Sequence, residues 1–188
     1  LETFEVPKTA IKNAYDVVPN KQINALEEAA GRIRKFHEAS LPKSWVDITE
    51  GYGELVHPIE RVGVYVPGGT ARYPSTVLMT AVPAKSAGVS EIIVSTPGNG
   101  DSPPHPIVLV AANIAGADRI FRIGGAQAIS AMAYGTETVP RVDLICGPGN
   151  IFVTLAKKLL FGEVGIDGLY GPTETMIVAD STANPTLC

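Results

Sequence analysis

The spacing of apolar positions along this chain changes near residue 60. Before it, intervals of three and four dominate: after Pro7, the residues Ile11, Tyr15 and Val18 fall on one helical face. A second set, Ile23, Leu26, Ala30 and Ile33, repeats the pattern after Asn20, which is placed to cap that helix. Arg32, Arg34 and Lys35 then stand near the C-terminal end, where the helix dipole favours cations, and Phe36 and His37 close the element. Pro42 ends the helical region, and Trp45 to Thr49 reads as a short edge strand with the lone tryptophan packed on a neighbour. Gly51, Gly53 and Pro58 mark a linker.

From Arg61 onward, short apolar runs rich in β-branched residues alternate with alanine-rich segments of helical spacing. That alternation predicts βα units and a parallel sheet. Five strands are expected, at Val62 to Val66, Glu91 to Thr96, Arg119 to Ile123, Val142 to Cys146 and Val164 to Tyr170. The helices between them are expected at Ser75 to Ala87, His105 to Ala115, Ala126 to Tyr134 and Ile151 to Phe161. Thr175 to Ala179 is again apolar and β-prone, so a further strand is expected after the turn at Gly171 to Glu174. The fold class is α/β: a Rossmann-like parallel sheet with flanking helices, preceded by an N-terminal helical segment.

Every predicted strand of the sheet ends in turn residues, namely Pro67-Gly68-Gly69, Pro97-Gly98, Gly124-Gly125, Gly147-Pro148-Gly149 and Gly171-Pro172. In open α/β sheets, ligands bind beyond the carboxyl ends of the strands, where glycine lets backbone N–H groups approach an anion. The segment from Arg119 to Asn150 contains this unit twice over. Gln127, in the first turn of its helix, is either a ligand contact or an ordinary exposed residue, and Gly135 stands where a left-handed cap is expected. Asn150 is an N-cap that satisfies backbone donors, or faces a ligand as well. Neither glycine pattern is a dinucleotide fingerprint: in GxGxxG the third glycine would fall at Phe152, and no Gly-Lys-Ser/Thr follows GPGN. Tight βα turns alone would also account for these glycines.

Composition narrows the classes of function. Apolar residues make up 45% and charged residues 18% of the 188, the profile of a globular chain with a real core. A formal charge of −4 gives no basic footprint for nucleic acid. Cys146 and Cys188 supply neither a disulfide framework nor a CxxC pair, and His37, His57 and His105 are scattered, so structural zinc is not expected from spacing. His37 reads as a helix C-terminal cation, His57 as a surface residue, and Glu174 as a polar turn residue without the partner a general base needs. No run of about 18 apolar residues and no charged-then-apolar leader is present, so neither a membrane span nor a targeting segment is expected.

Three long segments carry a resemblance: PIERVGVYVPGGTARYPSTVLMTAVPAKSAGVSEIIVSTP, RIGGAQAISAMAYGTETVPRVDLICGPGN and GPTETMIVAD. Collinear from about Ile23 to the end, they closely resemble the histidinol dehydrogenase family. The resemblance implies a homodimeric, zinc-dependent cytoplasmic enzyme, plastid-targeted in plants, that oxidises histidinol through histidinal to histidine with two hydride transfers to NAD. It implies two large Rossmann-like domains: residues 1–60 belong to a discontinuous first domain, 61–173 form the NAD-binding domain, and 174–188 begin the return to the first.

Residue by residue, the resemblance makes Tyr65 of VYVPGG, Gln127 of GGAQA and Asn150 of GPGN contacts to NAD. Thr173 of GPTE stands where the family has a substrate-binding serine, keeping the hydroxyl and adding a methyl. The family's zinc ligands and general base follow the ANP segment, so they are expected beyond Cys188, with no catalytic or metal residue within this chain. The 188 residues are accordingly expected to be an incomplete, inactive part of the enzyme. The alternatives are a paralogous zinc and NAD dehydrogenase of another small alcohol, and a non-catalytic NAD-binding or assembly module.

Overall fold

The structure, a computed structural model, describes residues 4–69, 71–98, 100, 102–170 and 174–186. Prolines delimit its first two helices. Pro7 precedes α1 (Lys8–Val17), and Pro19 separates it from α2 (Asn20–Ala39). Proline fixes φ and lacks the N–H that a helix interior needs, so it serves as a start and not as a continuation. Asn20 is not the cap expected of it. Pro19 occupies that position in extended conformation, Asn20 is already helical, and no side chain caps the helix.

The hairpin β1 (Trp45–Asp47) and β2 (Tyr52–Glu54) comes next, antiparallel, with Trp45 edge-on to Tyr52 at 5.9 Å between ring centroids. The expected strand is thus cut at Asp47, whose carboxylate accepts from the N–H groups of Thr49 and Glu50 and turns the chain. Gly53, expected in the linker, lies within β2.

The α/β part follows as β3 (Arg61–Tyr65), α3 (Pro74–Ser86), β4 (Glu91–Ser95), α4 (Pro106–Ala115), β5 (Arg119–Phe121), α5 (Gly125–Tyr134), β6 (Leu144–Cys146), α6 (Ile151–Leu160) and β7 (Gly165–Ile166). Five parallel strands lie in the order β5-β4-β3-β6-β7. The chain therefore starts at the centre, steps outward twice, returns and steps outward the other way. With a constant crossover hand, such a reversal places helices on both faces.

Alternation along the strands shows the two layers. Val62, Val64, Ile92, Val94 and Ile120 are buried with α3 and α4, whereas Tyr65, Ile93, Phe121 and Ile145 are buried with α5 and α6. Two-sided burial explains why these strands read as continuous apolar runs. On the first face a third layer is added. The small, buried Ala14 and Ala30 let α1 and α2 lie close on α4 and α3, with Ile11, Ile23, Leu26 and Ile33 packed around them. Tyr15 donates to Asn113 of α4 at 2.8 Å.

Several predicted strands are shortened, two of them in the β6–β7 half of the sheet, and one is absent. The fourth sheet strand begins at Leu144 and the fifth ends at Ile166, because only those residues find a parallel partner. Thr175 to Ala179 forms no strand; Met176, Ile177 and Val178 are exposed, and no described strand lies alongside them to supply the ladder that β-propensity needs. Gly135 ends α5 with φ 77° but ψ 157°, leading the chain away instead of curling it into a left-handed cap.

At the outer edge, the segment Phe4 to Val6 runs antiparallel to β5: Val6 N–H donates to the Ile120 carbonyl and Arg122 N–H to that of Phe4, both at 2.8 Å. Arg119 grips Glu5 through two nitrogens at 3.0 and 2.6 Å and also donates to the Thr138 carbonyl. This hydrogen bonding, outweighing partial burial, holds the Glu5 carboxyl below its ordinary pKa. A depressed native pKa adds stability above the ordinary value and loses it as pH falls through the native one. Glu5→Gln is therefore expected to cost under about 1 kcal/mol at pH 7, the pair being about a third exposed, and less at pH 3. Denaturant melts at the two pH values check this; an equal cost at both would contradict it.

Candidate functional site

Between β3 and β6 the direction of strand progression reverses, and this is where an open α/β sheet leaves a crevice at its carboxyl edge. Two turns frame it: Pro67-Gly68-Gly69 after β3 and Gly147-Pro148-Gly149 after β6. A Cβ built on Gly147 would lie 2.1 Å from the Tyr65 carbonyl oxygen, and one on Gly149 would lie 2.3 Å from Val153 of α6. These glycines are contact positions where the turn presses against β3 on one side and its own helix on the other.

Tyr65, the last residue of β3, is buried, and its hydroxyl accepts from the Gly125 N–H at 3.0 Å. The side chain thus passes beneath α5 and satisfies a first-turn donor that the helix leaves open. Gln127 is exposed in the same turn, and its Oε1 lies 2.8 Å from where a Cβ on Gly125 would be. Tyr65 and Gln127 therefore meet around one glycine, which holds φ 69°. Asn150 stands on the neighbouring turn, exposed, with its Oδ1 accepting from Val153 N–H at 3.1 Å. Its capping role is real, and its amide nitrogen stays available. Thr173 lies outside the described residues.

Three of the expected contacts thus occupy adjoining turns, although not one cavity. Gln127 borders a recess of about 410 Å³ with Phe4, Ile123 and Val139, whereas Gly147 to Gly149 border a groove of about 480 Å³ with Ser75, Thr76, Asp167 and Tyr170. The latter continues into an apolar trough of about 690 Å³ past Met79 and Pro83. A further hollow of about 350 Å³ lies over Gly68 and Gly98, with Arg72 and His105 on its rim. His105 caps α4 through Nδ1, which accepts from Ile107 N–H at 3.3 Å; partial burial and then the Arg72 charge lower its pKa, favouring the neutral ring that capping requires.

Sequence reasoning overlooked Lys157 and Asp167. Lys157 is 1% exposed, donates to the Gly147 carbonyl at 3.0 Å and pairs with Asp167, whose other oxygen accepts from the Gly147 N–H at 2.7 Å. Tyr170 places its ring 5.2 Å from the ammonium. A signal existed: Lys157 falls in the apolar register of α6 with Val153 and Leu160, where a lysine must find a partner. Beside them, burial and then the Asp167 charge push the Cys146 thiol up to about 12, so it stays protonated and inert. Among the described residues, no three His, Cys, Asp or Glu side chains stand together as metal ligands.

Two outcomes follow from this packing. Gly69 and Gly147 share φ 116°, but only Gly147 has a neighbour against its α-carbon, so Gly69→Ala is expected to cost about 1 kcal/mol and Gly147→Ala at least about 2 kcal/mol more by chemical denaturation. Equal costs would mean that close approach contributes nothing. Native Cys146 is expected to react with iodoacetamide at pH 8.5 at least about a hundredfold more slowly than in urea, read by peptide mass spectrometry that separates it from Cys188. Comparable rates would show that the thiol is not shielded.

Comparison with known proteins identifies the family. The family model described as histidinol dehydrogenase matches residues 1–188. The chain is 52% identical to the histidinol dehydrogenase of a Synechococcus species over 187 residues, covering 98% of this chain and 43% of that protein. It is 50% identical to the enzyme of Methanococcus maripaludis over 188 residues, covering 98% and 44%. The crystal structure of histidinol dehydrogenase from Elizabethkingia anophelis superposes with a TM-score of 0.91 at 40% identity, over 98% of this chain and 44% of that one. The chain spans less than half the length of these relatives, and along all of its own length it belongs to the histidinol dehydrogenase family.

Proposed function

We propose that the carboxyl edge of this sheet, from Gln127 across Tyr65 to Asn150, binds NAD, and that the enzyme carrying it oxidises histidinol through histidinal to histidine. The observation that supports this best is that Tyr65, at the end of β3, touches both the turn after β5 and the turn after β6. Gly147 lies against the Tyr65 carbonyl, and the Tyr65 hydroxyl accepts from the Gly125 N–H. The lack of a Cβ at Gly147 and Gly149 lets this turn sit tight against β3 and α6, at the sheet edge where the backbone of such turns approaches a pyrophosphate. A bound NAD supplies the acceptor for a hydride, once from the alcohol and once from the hydrated aldehyde.

The residues of this chain bind and orient. Gln127 in the first turn of α5 and Asn150 at the cap of α6 offer amide groups, and the buried Tyr65 ties the start of α5 to β3. Thr173 contributes a hydroxyl to the substrate in this reading. Zinc, which the family implies, has no fitting ligand set among the described residues. A homodimer, a cytoplasmic setting (plastid in a plant), and a first domain made from residues 1–60 and a return from 174 belong to the same proposal. No described helix is long and apolar enough to cross a membrane.

Steady-state kinetics of histidinol-dependent NADH formation, with zinc supplied, test the assignment. Gln127→Ala is expected to raise KM for NAD about tenfold, equivalent to about 1.4 kcal/mol, and to leave KM for histidinol within about twofold. Asn150→Asp keeps the capping oxygen while removing the amide donor, and separates ligand contact from helix capping. It is expected to weaken NAD binding at an unchanged melting temperature. Unaltered NAD kinetics in both variants would overturn the assignment.

A further inference from the structure

We infer that Lys157 and Asp167 are positioning residues, a clamp of a buried ammonium and a partly exposed carboxylate that sets the Gly147–Asn150 turn for the dinucleotide; this rests on the NAD reading above. The pair holds one residue by both of its backbone groups. Lys157 donates to the Gly147 carbonyl at 3.0 Å, and Asp167 accepts from the Gly147 N–H at 2.7 Å while pairing with the lysine. Gly147 at φ 116° is therefore fixed in the plane of its peptide groups as well as by its contact with Tyr65.

A fold of this type does not need an ion pair here. The β6–α6 connection is already closed by the Asn150 cap, and replacing a buried pair by apolar side chains of similar size is often neutral or stabilising. What the pair does provide is orientation. Gly147 is followed directly by Pro148, Gly149 and Asn150, so a rotation of the Gly147 peptide is passed along the turn to Gly149 and Asn150. Asp167 reaches the turn from just past β7, and Tyr170, three residues on, lays its ring by the ammonium and excludes water from that side. The clamp thus joins the dinucleotide turn to the segment that leads to Thr173.

The clamp predicts a functional loss separable from stability. Lys157→Met removes the ammonium at similar length, and Asp167→Asn keeps the shape while leaving fewer acceptors for Gly147 and Lys157. Each is to be examined by melting, by hydrogen exchange of the peptide containing Gly147 without ligand, and by NAD titration and kinetics of the complete enzyme; Arg32→Ala, an exposed α2 pair member, is the control. The expected result is faster exchange at Gly147 and an NAD Kd and KM raised about tenfold or more in variants that remain folded, with KM for histidinol changed less and Lys157→Arg recovering part of the loss. Should Lys157→Met fail to fold, Asp167→Asn carries the same test. Folded variants that bind NAD within about twofold of the parent would overturn the clamp and leave the NAD reading standing. A parent enzyme that binds no NAD would overturn that reading first, and the clamp's role with it.

Discussion

Burial of the central sheet on both faces is the constraint on which this molecule depends. A parallel strand exposes a row of side chains to each side, and a layer of helices must cover each row. Here the alternation is nearly pure, with Val62, Val64, Ile92 and Val94 to one side and Tyr65, Ile93, Phe121 and Ile145 to the other. Two helices per face satisfy it only if the chain reverses its direction of strand addition once. That reversal creates the crevice between β3 and β6, so the edge proposed to bind NAD results from the same requirement that buries the core.

Gly63 shows how closely that requirement is met. A Cβ there would stand 2.7 Å from the Met132 sulfur and 3.2 Å from Val142, so α5 rests directly on the strand backbone. The close seat carries the first turn of α5 down to the Tyr65 hydroxyl. Packing deep in the sheet and geometry at its edge are in this way the same fact viewed at two heights.

Much of this was legible in the residues. The switch from helical spacing to short β-branched runs located all five sheet strands and the four helices between them, since period and turn chemistry are local properties. Strand ends were legible only to within a few residues, because pairing is decided by the neighbouring strand; Val164 to Tyr170 shrank to Gly165–Ile166 for that reason. Asn20 misled because Pro19 took the position that its side chain would have used. Tyr65, Gln127 and Asn150 were named from motifs, yet the bond from Gly125 to Tyr65 joins residues 60 apart and no local pattern announces it. Lys157 and Asp167 escaped notice because a charged pair ten residues apart reads as surface until burial is known.

The two borders of the sheet are not equivalent. On the β5 side, Phe4 to Val6 already occupies the backbone groups that another strand would use, and the Glu5–Arg119 pair fastens it there. On the β7 side, the last strand is two residues long and pairs only with β6 among the described residues. Among the described residues, the backbone beside Gly165–Ile166 is therefore where an additional strand, from the same polypeptide or another, would extend the parallel ladder.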